Sequence, residues 1–366
     1  MGDNMGDVNK VGYVFLESGN VKFVFDRDFF KNVVSGSSFF VAGSFNGWDF
    51  SFNPVWELKE CFFENKKVFG LEKKIDEVNI PGNSGFPEFR FYSKKEKKSY
   101  VLEEKEVVDG FSFCGNKLIV KDENDCEIIR NLEKKTRIKT LKDFDLSLAE
   151  ERLRISNVRL VPGTKTLYRG YHPFKKSRPE LETENVRIKL VQEAFERFNI
   201  NCDITLCGKE RANVFLGEKK PKVIRLIEKN NNRLCVDIEY SLVYFHSDSE
   251  DFRKTLREIA LFMIERKGPF YLHCRLGSDR TGVISSIFAA LAGASWEEIV
   301  IDYEKTAEMG TGEVRSGKFL EYALTRMLKV SPSEKNLSEI MRNYFVDFGI
   351  LSKAELNVFV GRLKGI

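Results

Sequence analysis

The spacing of apolar residues changes near residue 128, and this change constrains the fold more than any other feature of the sequence. From about residue 12 to 127, short apolar and aromatic runs such as VKFVFD and EFRFYS alternate with period two between turns rich in Gly, Asn, Ser and Pro. Period-two alternation is typical of half-buried antiparallel strands. We therefore predict an all-β sandwich domain over residues 10–127.

Beyond residue 128 the pattern becomes helical. Residues 128–154 are charged and helically spaced, which predicts a connecting helical segment. From 155 to 366, helical runs alternate with short apolar runs: ETENVRIKLVQEAFERFN precedes CDITLC, and SDSEDFRKTLREIALFMIERKG precedes PFYLHC. This alternation predicts an α/β domain over residues 155–366, with a central, largely parallel sheet flanked by helices.

Composition and charge exclude several classes of protein. The 59 Lys and Arg nearly balance the 55 Asp and Glu, so we expect no nucleic-acid partner. The first ten residues lack the apolar stretch of a secretion signal, and no apolar run approaches the roughly 20 residues that cross a bilayer, so we expect no membrane insertion. The seven cysteines form no C-x-x-C pair, which indicates reduced thiols and a cytoplasmic location.

The ten residues from His273 to Gly282, HCRLGSDRTG, follow the apolar run PFYL and precede the helical run TGVISSIFAALAGA. A bare C-x5-R pair arises often by chance. Here it lies at the carboxyl end of a predicted strand, where open α/β sheets bind ligands. Inward-pointing backbone N–H groups and a helix starting at about Thr281 would form an anion cradle, and Gly277 and Gly282 would leave the tight loop free of Cβ atoms.

The side chains of this stretch fit phosphoryl transfer through cysteine. The positive field of the loop would lower the pKa of Cys274 and make it a thiolate nucleophile. Arg280 would hold two phosphate oxygens at once. His273 and the Thr281 hydroxyl are placed to support the thiolate. The sequence therefore predicts catalytic roles for these four residues.

HCRLGSDRTG resembles the signature loop of protein tyrosine phosphatases, HCxxGxxRTG, and is most similar to a bacterial branch with HCxxGxDRTG. NVRLVPGTKTLYRGYHP and FNINCDITLCGKE also resemble strand segments of that family, so the resemblance covers about residues 155 to 366. It implies hydrolysis of phosphate monoesters through a cysteinyl-phosphate intermediate, with Thr281 assisting departure of the thiolate. It implies no cofactor and no metal, and the chain offers no His/carboxylate cluster that would hold a metal.

The resemblance also implies which residues bind substrate. Many members of the branch have Lys at the position of Ser278, and that lysine is associated with substrates of extra negative charge such as phosphoinositides. Arg275 would compensate for its absence, as would Lys175, Lys176 and Arg178, although such charge runs are more often simply solvated. Arg169 in LYRG either binds substrate or pins the sheet edge. The substrate-binding candidates are Arg275, Leu276, Gly277, Ser278, Gly282 and Arg169.

The general acid is open between three aspartates. In the branch most similar to this chain the loop aspartate is thought to serve, which indicates Asp279; its alternative role is to shape the loop. Most relatives instead carry the acid on a mobile loop before the catalytic strand, where Asp248 and Asp251 lie 26 and 23 residues before Cys274. Ser247-Asp248-Ser249-Glu250 also fits a helix capping box. Asp279 ranks first and Asp248 second.

VAGSFNGW resembles the glycogen-binding type of early-set, immunoglobulin-like β-sandwich module. The resemblance implies carbohydrate binding through Trp48, with Trp56 taking part, and a polysaccharide partner. The second aromatic of those modules follows a YKFxxDGxW segment, whereas the matching EFRFYSKKEKKSYVL has neither the Trp nor the Asp-Gly. In the alternative interpretation, Trp48 packs the sandwich edge or an interface with the phosphatase domain.

These features predict a cysteine-dependent phosphatase of phosphate monoesters, chiefly of protein phosphotyrosine. One alternative is a phosphatase of phosphorylated polysaccharide or inositol phosphate, with the first domain as glycan anchor. Another is a non-catalytic phosphate-binding scaffold, which the presence of Cys274, Arg280 and Thr281 disfavours. The expected partners are therefore a phosphorylated protein or a phosphorylated small molecule or glycan.

Overall fold

The chain divides into two compact units, Met1–Lys134 and Lys135–Ile366. Each has its own sheet. The predicted connecting segment, 128–154, contains the end of one helix, a 3-10 turn at Leu141–Asp143 and the start of another helix. The structure is a computed structural model, and it describes residues 12–30, 33–100, 112–113, 116–208, 220–334 and 336–366.

The described strands of the first unit form one antiparallel sheet. They are β1 (Gly12–Phe15), β2 (Asn20–Phe25), β3 (Phe39–Gly43), β4 (Glu57–Phe63), β5 (Lys66–Lys74), β6 (Glu88–Ser93), β7 (Lys98–Tyr100), β8 (Ser112–Phe113) and β9 (Asn116–Leu118). Their order in the sheet is β1-β2-β5-β4-β3-β6-β9-β8, and β7 also pairs with β6. The described helices of this unit are α1 (Ile75–Val78) and α2 (Glu123–Lys135).

Strand β4 joins the two halves of this sheet. Glu57 and Leu58 pair with β3, whereas Lys59 to Phe63 pair with β5. Because one strand serves both halves, the sheet is curled and continuous, where we had expected the two separate sheets of a sandwich. The first unit is a β domain, as the alternation predicts. Its early-set, immunoglobulin-like classification stays a prediction.

Aromatic rings fill the core of the first unit. Phe25 is fully buried, and its ring centroid lies 4.2 Å from that of Phe39 and 4.6 Å from that of Phe30. Phe91 and Tyr100 meet the same ring edge-on. Burying one such ring stabilises a fold by about 1.5–3 kcal/mol. The strands therefore place phenylalanine on their inward faces.

The second unit is built on a five-stranded sheet of order β10-β11-β14-β12-β13. Strand β14 pairs in parallel with β11 and β12, β12 pairs in parallel with β13, and β10 is antiparallel to β11. Every residue of β14 is buried. The strands are β10 (Arg159–Leu160), β11 (Leu167–Gly170), β12 (Cys202–Thr205), β13 (Arg233–Cys235) and β14 (Phe270–His273).

The described helices hold about half of the residues of the second unit, which therefore combines helices with a sheet as the alternation predicts. They are α3 (Ala149–Ser156), α4 (Glu184–Arg197), α5 (Lys222–Lys229), α6 (Tyr240–Phe245), α7 (Glu250–Ile264), α8 (Asp279–Ala292), α9 (Trp296–Glu304), α10 (Gly317–Leu328), α11 (Leu337–Asp347) and α12 (Lys353–Lys364). Helix α8 is buried from Arg280 to its end. Within the described residues, none of the helices is both long and apolar enough to span a membrane.

Candidate active site

Cys274 lies immediately after β14, the strand held between β11 and β12. Helix α8 begins at Asp279, two residues before the start that the sequence suggested. Residues 274–278 are therefore the whole connection between a buried strand and a buried helix. Both ends of this loop are fixed, which gives the cysteine a defined position.

Gly277 lets the loop pack directly against β11. Its φ of +74° lies in the left-handed region. A Cβ atom at this position would lie 2.1 Å from the carbonyl oxygen of Gly170. The site therefore requires glycine for its backbone conformation and for the close approach of two chains.

The carbonyl groups of the loop are turned towards the scaffold. Those of residues 275, 276 and 277 accept hydrogen bonds from the His172 backbone N–H at 3.1 Å, from Asn157 Nδ2 at 2.8 Å and from Arg169 Nη2 at 2.8 Å. Three partners from the β10–β11 region thus fix the orientation of successive peptide groups.

The N–H groups of the same peptides have no partner in the described part of the chain. None of the backbone N–H groups of residues 275–280 donates a hydrogen bond there. They belong to the loop and the first turn of α8, whose N-terminus adds partial positive charge. Consecutive N–H groups whose carbonyls are turned away can together bind an anion such as phosphate.

Arg280 is anchored by two neighbouring segments. Its Nη1 atom donates to the carbonyl of Leu206 at 2.9 Å and to that of Ile238 at 3.2 Å. Burial acts to lower the pKa of Arg280, but the nearby negative charges, led by that of Cys274, together outweigh burial and raise the pKa. The guanidinium is therefore held as a cation beside the cysteine.

Cys274 is 3% exposed, yet its thiol is acidified. Burial alone would raise its pKa, but the charge of Arg280 and the nearby hydroxyl and backbone N–H of Thr281 lower the pKa below that of an ordinary cysteine. The negative charge of Asp279 partly opposes them. A thiolate at this point is the ionisation state that a nucleophile needs.

His273 is tied to the strand next to it. Its Nε2 atom lies 3.0 Å from Asp203 Oδ1, and its Nδ1 atom lies 3.1 Å from the carbonyl oxygen of Cys274. Asp203 is fully buried and also lies 2.9 Å from Arg233 Nε. Burial would raise the pKa of Asp203, but His273 and Arg233 lower it. His273 thus acts on the loop through the backbone of Cys274.

Asp279, the first-ranked acid, is clamped by three hydrogen bonds. Arg315 donates to Oδ1 at 2.5 Å and to Oδ2 at 2.8 Å, and the Tyr244 hydroxyl donates to Oδ1 at 3.1 Å. Burial would raise the pKa of Asp279, but Arg315 and Tyr244 outweigh burial and hold the pKa below its ordinary value. In this arrangement Asp279 is a carboxylate beside the nucleophile.

Comparison with family models adds an independent finding. The model of the tyrosine phosphatase family matches residues 143–348, more than half of the chain. The chain belongs to the tyrosine phosphatase family. This confirms the resemblance of residues 155–366 to tyrosine phosphatases and supports a phosphatase, while the assignment to one bacterial branch and the glycogen-binding resemblance of the first unit stay predictions. The chain matches no curated protein.

Asp248 of this tyrosine phosphatase family member takes part in a different network. Its carboxylate accepts hydrogen bonds from Arg326 Nε at 2.8 Å and Lys329 Nζ at 2.9 Å. Burial would raise its pKa, but these two cations lower it. No hydrogen bond joins Asp248 to the 274–278 loop in the part of the chain that the structure describes.

The proposed capping box before α7 is wrong by two residues. Ser249, not Ser247, caps the helix by accepting a hydrogen bond from the Phe252 N–H. Ser247 is buried and donates to the Ala323 carbonyl at 2.7 Å instead. Asp251 lies in the first turn of α7, 80% exposed, with its nearest cation on Lys254.

The predicted substrate-binding side chains occupy different environments. Arg275 is exposed and donates to the Ser177 carbonyl at 3.2 Å, as Arg178 does at 3.0 Å. Ser278 is fully buried, and its hydroxyl has no hydrogen-bond partner among the described residues. Leu276 packs into the hydrophobic core beside Phe174. Lys175 is buried and Lys176 is exposed.

Arg169 is fully buried beneath the loop. Besides the Gly277 carbonyl it binds Asp302 Oδ2, 2.8 Å from its Nη1 atom. Burial and the nearby Arg159 lower its pKa to about 10. Gly282 lies over the same region, where an added Cβ would lie 2.7 Å from the Tyr303 ring. These contacts give Arg169 and Gly282 a part in shaping the loop.

The tryptophans of the first unit lie in unlike surroundings. Trp56 packs against the core, with Phe45 at a centroid distance of 5.1 Å and Lys73 Nζ 4.5 Å above its ring. Trp48 is half-buried, has φ +58°, and donates its backbone N–H to the Gly43 carbonyl at 2.8 Å. A sugar-binding role for either residue stays a prediction.

Several residues of the site were not predicted from the sequence. Asn157 contacts the loop, Asp203 contacts His273, and Tyr244 and Arg315 contact Asp279. Glu313 contacts Arg315. All five are distant from the loop in sequence, and although Asn157 and Asp203 lie in segments that resemble the family, nothing in the sequence marked them as its partners. One signal was available in the sequence for Glu313 and Arg315. They form a pair of opposite charges in GEVRSG, residues 312–317, a stretch with neither helical nor strand periodicity. Among the described residues, no group of three His, Cys, Asp or Glu side chains is arranged to hold a metal ion.

Proposed function

We propose that this protein is a cysteine-dependent phosphatase that hydrolyses phosphate monoesters, chiefly protein phosphotyrosine, through a cysteinyl-phosphate intermediate. The observation that carries the proposal is the set of unpartnered N–H groups at residues 275–280, facing an acidified Cys274. Such a set binds the equatorial oxygens of a phosphate as charge develops on them. Membership of the tyrosine phosphatase family supports the same chemistry.

The proposed reaction has two steps. The Cys274 thiolate attacks phosphorus and forms an S–P bond, while the P–O bond to the leaving group breaks. Asp279, which must first take up a proton because it rests as a carboxylate, gives that proton to the departing oxygen. Water then attacks phosphorus, Asp279 takes its proton, and the S–P bond breaks to release phosphate and the thiolate. Thr281 stabilises the departing thiolate, and Arg280 with the loop N–H groups holds the phosphoryl oxygens.

Hydrolysis of an aryl phosphate by the purified chain tests this reaction. We expect metal-independent turnover that Cys274→Ser abolishes. A second buried thiol, Cys202 at the far end of β12, provides the matched control, since Cys202→Ser removes a cysteine without touching the loop. Full activity of Cys274→Ser would refute the mechanism. Acid quenching during turnover should trap a chain heavier by one phosphoryl group.

A second substrate class is favoured by one specific observation. The guanidinium groups of Arg275, the residue after Cys274, and of Arg178 both donate to the carbonyl of Ser177. Two cations at that place would bind an additional anionic group of a substrate such as an inositol phosphate. They replace, in this proposal, the charge that is missing at Ser278.

Relative kcat/KM values separate the two substrate classes. A phosphotyrosine peptide and an inositol phosphate would be compared in the wild type and in Arg275→Gln. Selective loss of inositol phosphate hydrolysis supports the second class, and equal loss on both substrates supports the first. Arg225→Gln, on the exposed side of α5, removes the same charge elsewhere and serves as control.

We propose carbohydrate binding by the first unit only as an accompaniment to phosphatase activity. Its support is the resemblance around Trp48 and the half-exposed position of that side chain. Co-sedimentation with glycogen or amylose tests it, and Trp48→Ala should abolish binding. Trp296→Ala, in the second unit, is the matched control. Equal sedimentation of Trp48→Ala and wild type would remove the proposal.

A further inference from the structure

A chain of four alternating charges runs from the catalytic loop to the surface of the second unit. Arg315 binds Asp279 with two hydrogen bonds. The same Nη2 atom of Arg315 lies 2.8 Å from Asp279 Oδ2 and 2.8 Å from Glu313 Oε2. Glu313 in turn accepts a hydrogen bond from Arg178. Two carboxylates thus share one nitrogen, and a second arginine holds the outer one.

From Arg315 outwards, the exposed fraction of the side chains increases along this chain, although Asp279 at its inner end is itself 17% exposed. The side chains of Arg315, Glu313 and Arg178 are 6%, 13% and 30% exposed. Arg178 is therefore the member that solvent and substrate reach. Its neighbour on the Ser177 carbonyl is Arg275, the residue that follows the nucleophile. The outer end of the chain thus lies beside the catalytic loop.

Other groups face Asp279 but do not extend the chain. The Tyr244 hydroxyl donates to it and also shares a hydrogen bond with the Tyr303 hydroxyl. Arg280 and Cys274 interact with Asp279 through their charges. These groups act on Asp279 in the same way whichever carboxylate Arg315 prefers.

We propose that Arg315, Glu313 and Arg178 are positioning residues that control when Asp279 carries a proton to the leaving group. The inference rests on the proposed role of Asp279 as general acid. Glu313 competes with Asp279 for Arg315 and so favours the protonated acid. Arg178 draws Glu313 away and so favours the carboxylate. The two outer residues therefore act in opposite directions.

Opposite substitutions follow from this arrangement. Glu313→Gln removes the competitor and a negative charge, so the alkaline limb of the kcat profile should move down by about half a pH unit. Arg178→Gln releases Glu313 towards Arg315, so the limb should move up by about the same amount. Arg178→Lys keeps the charge and should restore the wild-type limb. A substrate anion bound to Arg178 would act like Arg178→Gln.

The test is the pH dependence of kcat on phenyl phosphate, whose poor leaving group needs a proton. In a Glu313→Gln background, Arg178→Gln should no longer move the limb, because the relay between them is gone. Arg225→Gln removes an arginine charge from α5 and should leave the limb in place. Shifts of both single variants in one direction, or of neither, would overturn the proposal.

Asp279→Asn distinguishes failure of this proposal from failure of the proposed function. It should lower kcat on phenyl phosphate by about 100-fold and affect p-nitrophenyl phosphate far less, because general acid catalysis contributes about that much. An unchanged kcat on phenyl phosphate would refute Asp279 as the acid. The expected loss without opposite shifts at Glu313 and Arg178 would refute the ion-pair chain alone.

Discussion

Gly277 approaches Gly170 so closely that the loop has no room for a side chain at this point: a Cβ on Gly277 would lie 2.1 Å from the Gly170 carbonyl oxygen. The contact joins the catalytic loop to β11. It fixes the peptide plane next to the nucleophile, and it makes the loop sensitive to a single methyl group.

Gly277→Ala should therefore cost about 2–4 kcal/mol of stability and most of the activity, since it combines a strained positive φ with a clash against backbone. Gly293→Ala is the matched control. It also has positive φ, +95°, but its Cβ would find only Lys364 Nζ, 4.0 Å away. Urea unfolding and aryl phosphate hydrolysis would be measured on both. Comparable activity loss in the two variants would contradict a special role for the Gly170 contact.

The pKa of Cys274 is measurable as the pH dependence of its alkylation by iodoacetamide. Arg280 and Thr281 lower the pKa of Cys274 against the effect of burial. The pH at which alkylation reaches half its maximal rate should therefore lie below about 8.5, the pKa of a free cysteine. Arg280→Gln should raise the midpoint and slow alkylation at neutral pH about tenfold. Cys207, whose pKa burial raises, should stay slow in both proteins.

Arg169→Met should destabilise the second unit by about 3 kcal/mol, because it leaves Asp302 buried with one partner fewer. The comparison is Arg152→Met, which breaks an exposed ion pair with Glu193 and should cost about 1 kcal/mol or less. Free energies of unfolding in urea provide the measurement. An equal loss of unfolding free energy in the two variants would mean that burial of the Arg169–Asp302 ion pair has no effect on stability.

Asp302 should make stability fall in acid. Burial would raise its pKa, but Arg159 and Arg169 lower it, so its folded pKa lies below the unfolded value of about 3.9. Its contribution is therefore present above that pH and is lost as pH falls through the folded pKa. The advantage of wild type over Asp302→Asn should shrink between about pH 5 and pH 3. Asp251→Asn, at an exposed site, should track wild type throughout.

Turnover of esters with different leaving groups can show whether Asp279 or Asp248 is the general acid. Removing a general acid slows esters with poor leaving groups more than those with good ones. We expect the ratio of phenyl phosphate to p-nitrophenyl phosphate turnover to fall in Asp279→Asn. In Asp248→Asn the ratio should hold, since Asp248 is engaged by Arg326 and Lys329. A fall confined to Asp248→Asn would reverse the assignment.

The local parts of the site were readable from the sequence. β14, the loop and α8 are consecutive, so an apolar run, two glycines and a helical run were enough to predict their order. The most specific part of the family resemblance rested on the same consecutive residues. The start of α8 differed by two residues, because the first turn includes Asp279 and Arg280, which the motif presents as loop residues.

The supporting contacts could not be read in this way. Asn157 reaches the Leu276 carbonyl across 119 residues, and Arg315 reaches Asp279 across 36. Such partners depend on tertiary packing, which no local spacing encodes. The cap of α7 shows the same limit: Ser247 and Ser249 are both suitable residues, and the choice is made by the bond of Ser247 to Ala323 in another helix.

In the proposed function, the surface of the loop that binds phosphate is made of peptide groups, because the carbonyls of residues 275–277 are turned into the scaffold. Every amino acid except proline supplies the same N–H group. Evolution can therefore exchange the exposed side chain at Arg275 without altering the anion cradle. In this loop the backbone would recognise the phosphoryl group, and the exposed side chain would recognise the molecule that bears it, so the second can change while the first is kept.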